Sequence, residues 1–355
     1  MAELTRDGIP FLDLGRRSRA LADELGAAFA RVLDSGVLLL GPELDAFERE
    51  WAAFCGHRHA VGVASGTEAL RLALVALGVE RGDEVIIPAL TAIPTAAAVC
   101  AAGGVPVPVD VDADTATIDP QAAEAAVGPR TRAAIAVHLY GRPAEVPDLG
   151  VPVVEDAAHA HGALSETGTA IATAYSFYPT KNLGGFGDGG AVVTDDPELA
   201  QRVARLRVHG RCEGSEDGEF CEIATNSRVS ELEAAALRVG LGGLEARNRR
   251  RTEIACAYRE AVPEARWQSH HPGHAYHLCV LRVEGRDRFR AAVPFGTAVH
   301  YPRAVPDEPA YRRFERGAIP NARAWAAECV SLPCFPELTD TEVEDACEGL
   351  REALA

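Results

Sequence analysis

The sequence predicts an α/β fold, a large domain on a mainly parallel sheet followed by a smaller α+β C-terminal domain. Three observations predict it. Short apolar runs rich in β-branched residues recur between residues 60 and 194, with stretches of helical spacing between several of them. These runs are continuously apolar rather than alternating, as strands covered on both faces of a parallel sheet should be. Beyond a long helical region the texture changes to two isolated strands and a terminal helix. A length of 355 residues suits two domains at ~150 residues each, and the texture divides them near residue 245, into 1–245 and 246–355.

The elements follow in order. Residues 21–33 carry apolar side chains at helical spacing. Gly41 and Pro42 then break the chain, and Pro42 suits the first turn of a second helix ending near Cys55. Strands are expected at 60–63, 84–87, 105–109, 133–138, 151–155, 172–177 and 190–194, and helices at 67–77, 95–102 and 120–127. Residues 229–259, rich in Ala, Leu, Glu and Arg, read as one long helical region. Strands at 276–283 and 298–301 and a helix from Thr339 complete the chain. Residues 212–225 are polar, contain glycine and lack periodicity, which reads as a mobile surface loop suited to substrate contacts.

Composition narrows the function classes. With 47% hydrophobic and 25% charged residues, the chain is an ordinary globular protein rather than a fibre, a disordered chain or a membrane bundle. Its apolar stretches, such as 133–139 and 170–174, fall far short of the ~20 residues that span a bilayer. No apolar stretch follows a basic start at the N-terminus, so a cytoplasmic location is expected. The net charge of −17, from 35 basic and 52 acidic side chains, repels nucleic acid and anionic membranes, and neither is expected as a partner. The nine cysteines are odd in number and include no C-x-x-C pair. Neither a disulfide framework nor a metal site is therefore expected.

Three segments carry candidate chemistry. In Ser176-Phe177-Tyr178-Pro179-Thr180-Lys181 a lysine follows a buried strand and precedes five glycines between positions 184 and 190. A desolvated lysine loses basicity and becomes an amine nucleophile for carbonyls, while glycines let backbone approach a bulky planar group. In Val153-Val154-Glu155-Asp156 an apolar strand ends in two carboxylates at the edge where parallel sheets place their sites. Neighbouring strand residues point to opposite faces, so Glu155 and Asp156 should differ in role. Asp156 could cap the next helix or pair with the cationic ring nitrogen of pyridoxal phosphate (PLP), which needs such a partner to act as an electron sink. In Ser65-Gly66-Thr67 a strand end leads into a helix whose free N–H groups suit a phosphate, though an ordinary N-cap reads the same way. The order of phosphate turn, strand-end Asp, Ser and Lys points to PLP binding.

On these residues the chain resembles the DegT/DnrJ/StrS family of PLP-dependent aminotransferases, most of which act on keto groups of nucleotide-linked sugars. The resemblance covers nearly the whole chain, through 40–56, 64–74, 155–163, 176–194, 226–235, 300–302 and 331–340. It implies a type I, aspartate aminotransferase-like fold. It implies that Lys181 forms the internal aldimine and shuttles protons, and that Asp156 pairs with the pyridine nitrogen. Gly66, Thr67 and Ser176 would hold the phosphate, and His159 would lie beside the phenolic oxygen. Asn226 matches a residue that reaches the neighbouring subunit's phosphate, which implies a homodimer with sites at the interface. Three departures stand out. Ala92 occupies the position where relatives often place a ring that stacks on the pyridine, 212–225 matches no family pattern, and Ser230 replaces a common acidic residue.

The resemblance implies an amino-acid donor, glutamate first among them, and a keto-sugar acceptor. Retention of Lys181 argues against the family's dehydratase branch. Two alternatives stay open at this point: an aminotransferase for a cyclitol or other carbocyclic ketone in natural-product biosynthesis, and a PLP-binding accessory subunit without turnover. A nucleotide-sugar carries two phosphates, and the basic residues grouped to meet them are Arg207, His209, Arg211, Arg228, His300 and Arg303.

Overall fold

The structure is a computed structural model that describes residues 8–163, 170–212, 214 and 218–355. Helices α1 (Leu14–Ala20), α2 (Ala22–Ser35) and α3 (Pro42–Cys55) precede strand β1 (His59–Val63). Next come α4 (Gly66–Ala76), β2 (Glu84–Pro88), α5 (Ile93–Ala101), β3 (Val105–Val109), α6 (Pro120–Ala125) and β4 (Thr131–Val137). β5 (Val153–Asp156), β6 (Ala172–Ser176) and β7 (Gly190–Thr194) finish the large sheet and lead into α7 (Pro197–Leu206), α8 (Glu231–Leu241) and α9 (Leu244–Ala261). The remainder holds β8 (Arg266–Trp267), β9 (Cys279–Arg282), α10 (Arg286–Ala292), α11 (Pro320–Glu328), β10 (Cys329–Leu332) and α12 (Asp340–Leu354). No described helix is long and apolar enough to cross a membrane.

The large sheet runs β1-β7-β6-β5-β4-β2-β3. β2, β3, β4, β5 and β6 pair in parallel, and β7 is antiparallel to both of its neighbours. Every other strand therefore ends at the edge where β7 begins. Gly190, the first residue of β7, registers with Val63 on one side and Ser176 on the other. Three chain segments meet there, and a side chain would not fit: a Cβ on Gly190 would sit 2.4 Å from the Ser65 carbonyl carbon.

Strands β2, β4 and β7 are buried along nearly their whole length because helices cover both faces. One side holds Leu70, Leu74, Ile87, Val137 and Val192, and the other holds Leu44, Phe47, Trp51, Phe177 and Val193. A further core lies around the three-stranded sheet β10-β9-β8, where Tyr258, Leu281, Phe295 and Leu350 pack together. Ile9 belongs to this core and bridges to Phe295, so the chain's first described residues pack against its C-terminal part. Leu278, Val280 and Trp325 face the opposite way, into the large core.

Four local readings differ from expectation. The helical region 229–259 is two helices, broken at Gly242 and Gly243, where backbone freedom opposes helix continuation. Within 276–283 only Cys279–Arg282 pairs as a strand, because Tyr276 adopts a left-handed φ of 41°. Residues 298–301 contribute one bridge, Ala298 to Ser331, and Pro302 then supplies no N–H to extend it. Finally, Cys212 and Cys221 form a disulfide with a Cα separation of 5.3 Å, which corrects the expectation of none. The pair closes a short hairpin through the Arg211–Phe220 bridge, a local pairing that an odd cysteine count cannot reveal. Within 212–225, residues 213 and 215–217 lie outside the described residues.

Trp51 is fully buried between Phe47, Phe54, Tyr175 and Phe177. Its truncation removes the largest side chain of this cluster. Trp51→Ala is expected to lower unfolding free energy by about 3–5 kcal/mol, measured by urea denaturation. A loss below about 1 kcal/mol would show that the cluster closes over the gap.

Candidate active site

The site forms at the C-terminal edge of the large sheet. Ser65 is the N-cap of α4, its hydroxyl accepting the Glu68 N–H at 3.2 Å. The N–H groups of Gly66 and Thr67, at the first two helical positions, have no acceptor within the helix and face the positive end of its dipole. A Cβ on Gly66 would lie 2.6 Å from the Ser176 Cβ, so glycine is what lets this turn meet the end of β6. Ser176 thereby adds a hydroxyl to the two free N–H groups. One strand further along, about 5 Å away, β5 ends in Asp156.

Asp156 is buried, and its two oxygens have distinct partners. Oδ2 accepts the Thr95 hydroxyl at 2.8 Å, and Oδ1 accepts the Ala158 N–H at 3.1 Å. Thr95 in turn shares a 2.9 Å hydrogen bond with Thr91. Burial raises the Asp156 pKa, partly offset by those hydrogen bonds and by the charge of Lys181. Glu155 points to the other face of the strand, where it accepts the Thr173 hydroxyl at 2.9 Å and lies 3.3 Å from His138 Nε2. The two adjacent carboxylates thus occupy different environments.

Lys181 is the only lysine in the chain, the remaining basic side chains counted with it being arginines. Burial lowers its pKa from 10.5 to about 8, with the Asp156 carboxylate opposing the shift. Its loop is clamped from two directions. Arg17 of α1 donates to the carbonyls of Pro179, Gly184 and Gly185 at 2.9, 3.1 and 3.1 Å. Glu233 of α8 accepts the Phe186 N–H at 3.1 Å, and a Cβ on Gly185 would collide with that carboxylate. Ser230 caps α8 through the Glu233 N–H, so the departure at this position serves the helix that carries the clamp.

Histidines surround the lysine. His159 is buried, and its Nδ1 accepts the Tyr140 N–H at 3.2 Å, which leaves Nε2 as the protonated nitrogen. His277 is turned the other way. Asn182 uses its amide nitrogen on Asn248 and Ala275, so its Oδ1 accepts from His277 Nδ1 at 3.2 Å. The two rings lie 4.5 Å apart. Burial holds both well below the ordinary histidine pKa, and the positive charge of Lys181 adds to this. His300, 2.8 Å from the Ser331 hydroxyl, is lowered to about 4 by burial and by Lys181. Ala92 caps α5 and contributes no ring.

The structure thus gathers Gly66, Thr67, Asp156, His159, Ser176, Lys181 and His300. The other expected residues are not tied to this group by any side-chain hydrogen bond or ion pair among the described residues. Arg207 is held in an ion pair with Glu48 and donates to the Gly62 carbonyl at 3.0 Å. Arg303 pairs with Glu308 at 2.9 Å on the surface. His209 and Arg211 are exposed, Arg228 is half-buried, and none of the three has a carboxylate partner among the described residues. Asn226 is exposed, bridges to Val208 through its backbone, and its side chain has no hydrogen bond within the described residues. Sequence reading missed Thr95, Arg17, Glu233 and His277. A Thr four residues after another at the start of a helix was the signal for Thr95, and the count of one lysine was a stronger signal for Lys181 than any motif.

These groups fit PLP. A lysine that deprotonates near neutrality, a buried carboxylate oriented by two donors, and a hydroxyl with two free N–H groups at a helix N-terminus match an aldehyde, a ring nitrogen and a phosphate. Comparison with known proteins agrees. Residues 20–351 match the sequence model of the DegT/DnrJ/EryC1/StrS aminotransferase family. A dTDP-3-amino-3,4,6-trideoxy-alpha-D-glucose transaminase from Streptomyces venezuelae is 44% identical over 97% of this chain and 96% of its own. A crystal structure of S. venezuelae DesV in complex with a ketimine intermediate superposes with a TM-score of 0.91 at 43% identity, covering 98% of both chains. A crystal structure of ntda from Bacillus subtilis with bound cofactor PMP gives a TM-score of 0.92 at 27% identity, covering 99% of this chain and 86% of that one.

The lowered basicity of Lys181 has a direct readout. Below pH 8 its amine is mostly protonated and inert, and above pH 8 mostly free. In cofactor-free protein, reductive methylation of Lys181 by formaldehyde should rise with pH to a midpoint near 8, quantified by peptide mass mapping. A midpoint near the ordinary 10.5 would mean that the amine is solvated.

Proposed function

The chain belongs to the DegT/DnrJ/EryC1/StrS aminotransferase family, and on that premise we propose that it moves an amino group from an amino acid, glutamate first among them, to a keto group of a nucleotide-linked sugar. The observation that carries this reading is a single lysine, buried, with its pKa near 8, beside a buried carboxylate at the sheet edge. Lys181 would hold PLP through its amine, with Asp156 at the ring nitrogen and His159 at the phenolic oxygen. Gly66, Thr67 and Ser176 would hold the phosphate. Bound there, PLP supplies a carbonyl for the donor amine and a ring that spreads the electron pair left when the donor's α-proton departs.

The chain's own residues do the rest. Lys181 takes that proton on Nζ and gives it back, a task for which a pKa near the working pH is best. Asp156 stays ionised against a cationic partner, and the Thr95 and Ala158 donors keep its oxygens aimed. His159 presents Nε2–H as a neutral donor, because its burial keeps the ring uncharged. His209, Arg211 and Arg228, free of carboxylate partners among the described residues, are the side chains we assign to the two phosphates of the sugar nucleotide. The substrate to try first is a dTDP-linked 3-keto sugar, because the S. venezuelae relative is named for a 3-amino product.

With glutamate and such a sugar, the wild-type protein should form 2-oxoglutarate and amino sugar in equal amounts, followed by mass spectrometry. Lys181→Ala should lower turnover by at least about 10²–10⁴-fold, the contribution typical of a positioned acid–base group, while circular dichroism is unchanged. Turnover near wild type in that variant would remove Lys181 from the reaction.

We further propose a two-fold homodimer with Asn226 reaching the neighbouring subunit's phosphate site. Supporting it, Leu38, Leu39, Leu40, Tyr178 and Phe186 expose between 42% and 53% of their surface. Leu39 bridges to Ser230 at the start of α8, and Phe186 is bound by Glu233 of that helix, so these side chains share one region. Subunit mixing tests the arrangement. Lys181→Ala and Asn226→Asp should each be inactive alone, the second by placing a charge against the phosphate. If Asn226 acts across the interface, a heterodimer has one site with both lesions and one with neither, so activity returns on mixing. No return after verified subunit exchange would place Asn226 in its own subunit's site.

A further inference from the structure

Beneath the lysine loop three arginines converge, none of them in an ion pair with a carboxylate among the described residues. Arg17 spends its donors on the loop carbonyls of Pro179, Gly184 and Gly185, and its guanidinium lies 5.6 Å from the Phe186 ring. Arg247 of α9 donates to the Gly240 carbonyl, and Arg251, one turn on, donates to the carbonyls of Cys334 and His277. Carbonyl oxygens satisfy N–H groups but carry no net charge. None of the three forms an ion pair with a carboxylate among the described residues.

Burial weighs on all three. It is the main cause holding each guanidinium below the ordinary arginine pKa, and the charge of Glu337 opposes that shift in all three. Arg251 is 6% exposed. The Nε atoms of Arg247 and Arg251 are buried with no hydrogen-bond partner among the described residues. Together with Thr180, Lys181 and Asn182 the three arginines line a cavity of about 20 Å³. The acidic residues on its wall are Asp13 and Glu337, and Asp13 already pairs with Arg16 at 3.4 Å. The wall therefore carries an excess of positive charge, and buried charge without compensation is costly.

We propose that this cavity binds a monoatomic halide, chloride in the cell, as the counter-ion of the Arg17, Arg247 and Arg251 cluster. The volume admits one guest the size of a water, for which ~10–15 Å³ suffices. Water would fill it without supplying charge; a halide supplies both. The ion would join α1, the lysine loop, α9 and residues 334–337, and so would fasten the segment that carries Lys181. This inference stands on the arginine geometry and is independent of which ketone the protein uses.

The test is thermal unfolding of the holoenzyme at fixed ionic strength in sodium chloride, sodium bromide or sodium gluconate, whose anion is too large for the cavity. The melting temperature should be a few degrees higher in either halide and should climb with halide concentration, as binding to the folded state requires. Crystals grown in bromide should show an anomalous peak between the three guanidiniums. Arg247→Gln should abolish the halide dependence, while Arg31→Gln, on the surface, should retain it. Equal melting temperatures in all three salts together with no bromide peak at the cluster would overturn the proposal. Should Arg247→Gln not fold, the bromide peak in the wild-type protein decides alone.

Discussion

One antiparallel strand in an otherwise parallel sheet organises this molecule. β7 lies between β1 and β6 and begins where they end, so the chain stays at the C-terminal edge between β6 and β7. That connection is the loop containing Lys181. The same register sets Gly190 between the end of β1 and Ser176, and thereby brings the helix-capping turn at Ser65 against β6. Had β7 been parallel, the lysine would have been carried to the opposite edge of the sheet by the crossover it needs. The lysine and the N–H groups of α4 share an edge because of strand direction.

Electrostatics then acts on groups that topology has already placed. Burial drives Lys181 and the surrounding histidines toward their neutral forms and pushes Asp156 toward protonation. Opposing this, Thr95, Ala158 and the lysine charge favour the ionised carboxylate. At Asp156 burial and these partners act in opposite directions, and a cation bound there would add to the side that favours the ionised carboxylate. Outside the site, charge is used for fastening. Glu231 caps α3 through the N–H groups of Gly41, Glu43 and Leu44, and Glu233 and Arg17 grip the lysine loop from two helices.

The strands of the large sheet were legible because each is a continuous apolar run, and the ends of three runs carried the polar residues that matter. Asp156 and Lys181 could be found because each departs from its apolar surroundings at a strand end. What sequence could not supply was partnership at distance. Thr95 meets Asp156 across 61 residues, and Glu231 meets Gly41 across 190. Such pairs leave no periodic trace. The basic residues after the lysine block illustrate the converse: proximity in sequence grouped Arg207 with His209 and Arg211, yet the turn at His209, with its left-handed φ of 64°, leaves Arg207 on Glu48 and the others on the surface.

The count of one lysine has a consequence beyond the reaction. Guanidinium groups stay protonated at any physiological pH and do not form Schiff bases with simple aldehydes or ketones, whereas a free ε-amine does. A protein that handles carbonyl compounds with dozens of surface amines would collect adducts wherever they reached. Here the cationic surface is arginine throughout, and the one ε-amine able to form such an adduct is shut inside the fold. Selectivity for a carbonyl partner is thus written into composition as well as geometry: sugars and aldehydes drifting over the exterior find no lysine to glycate.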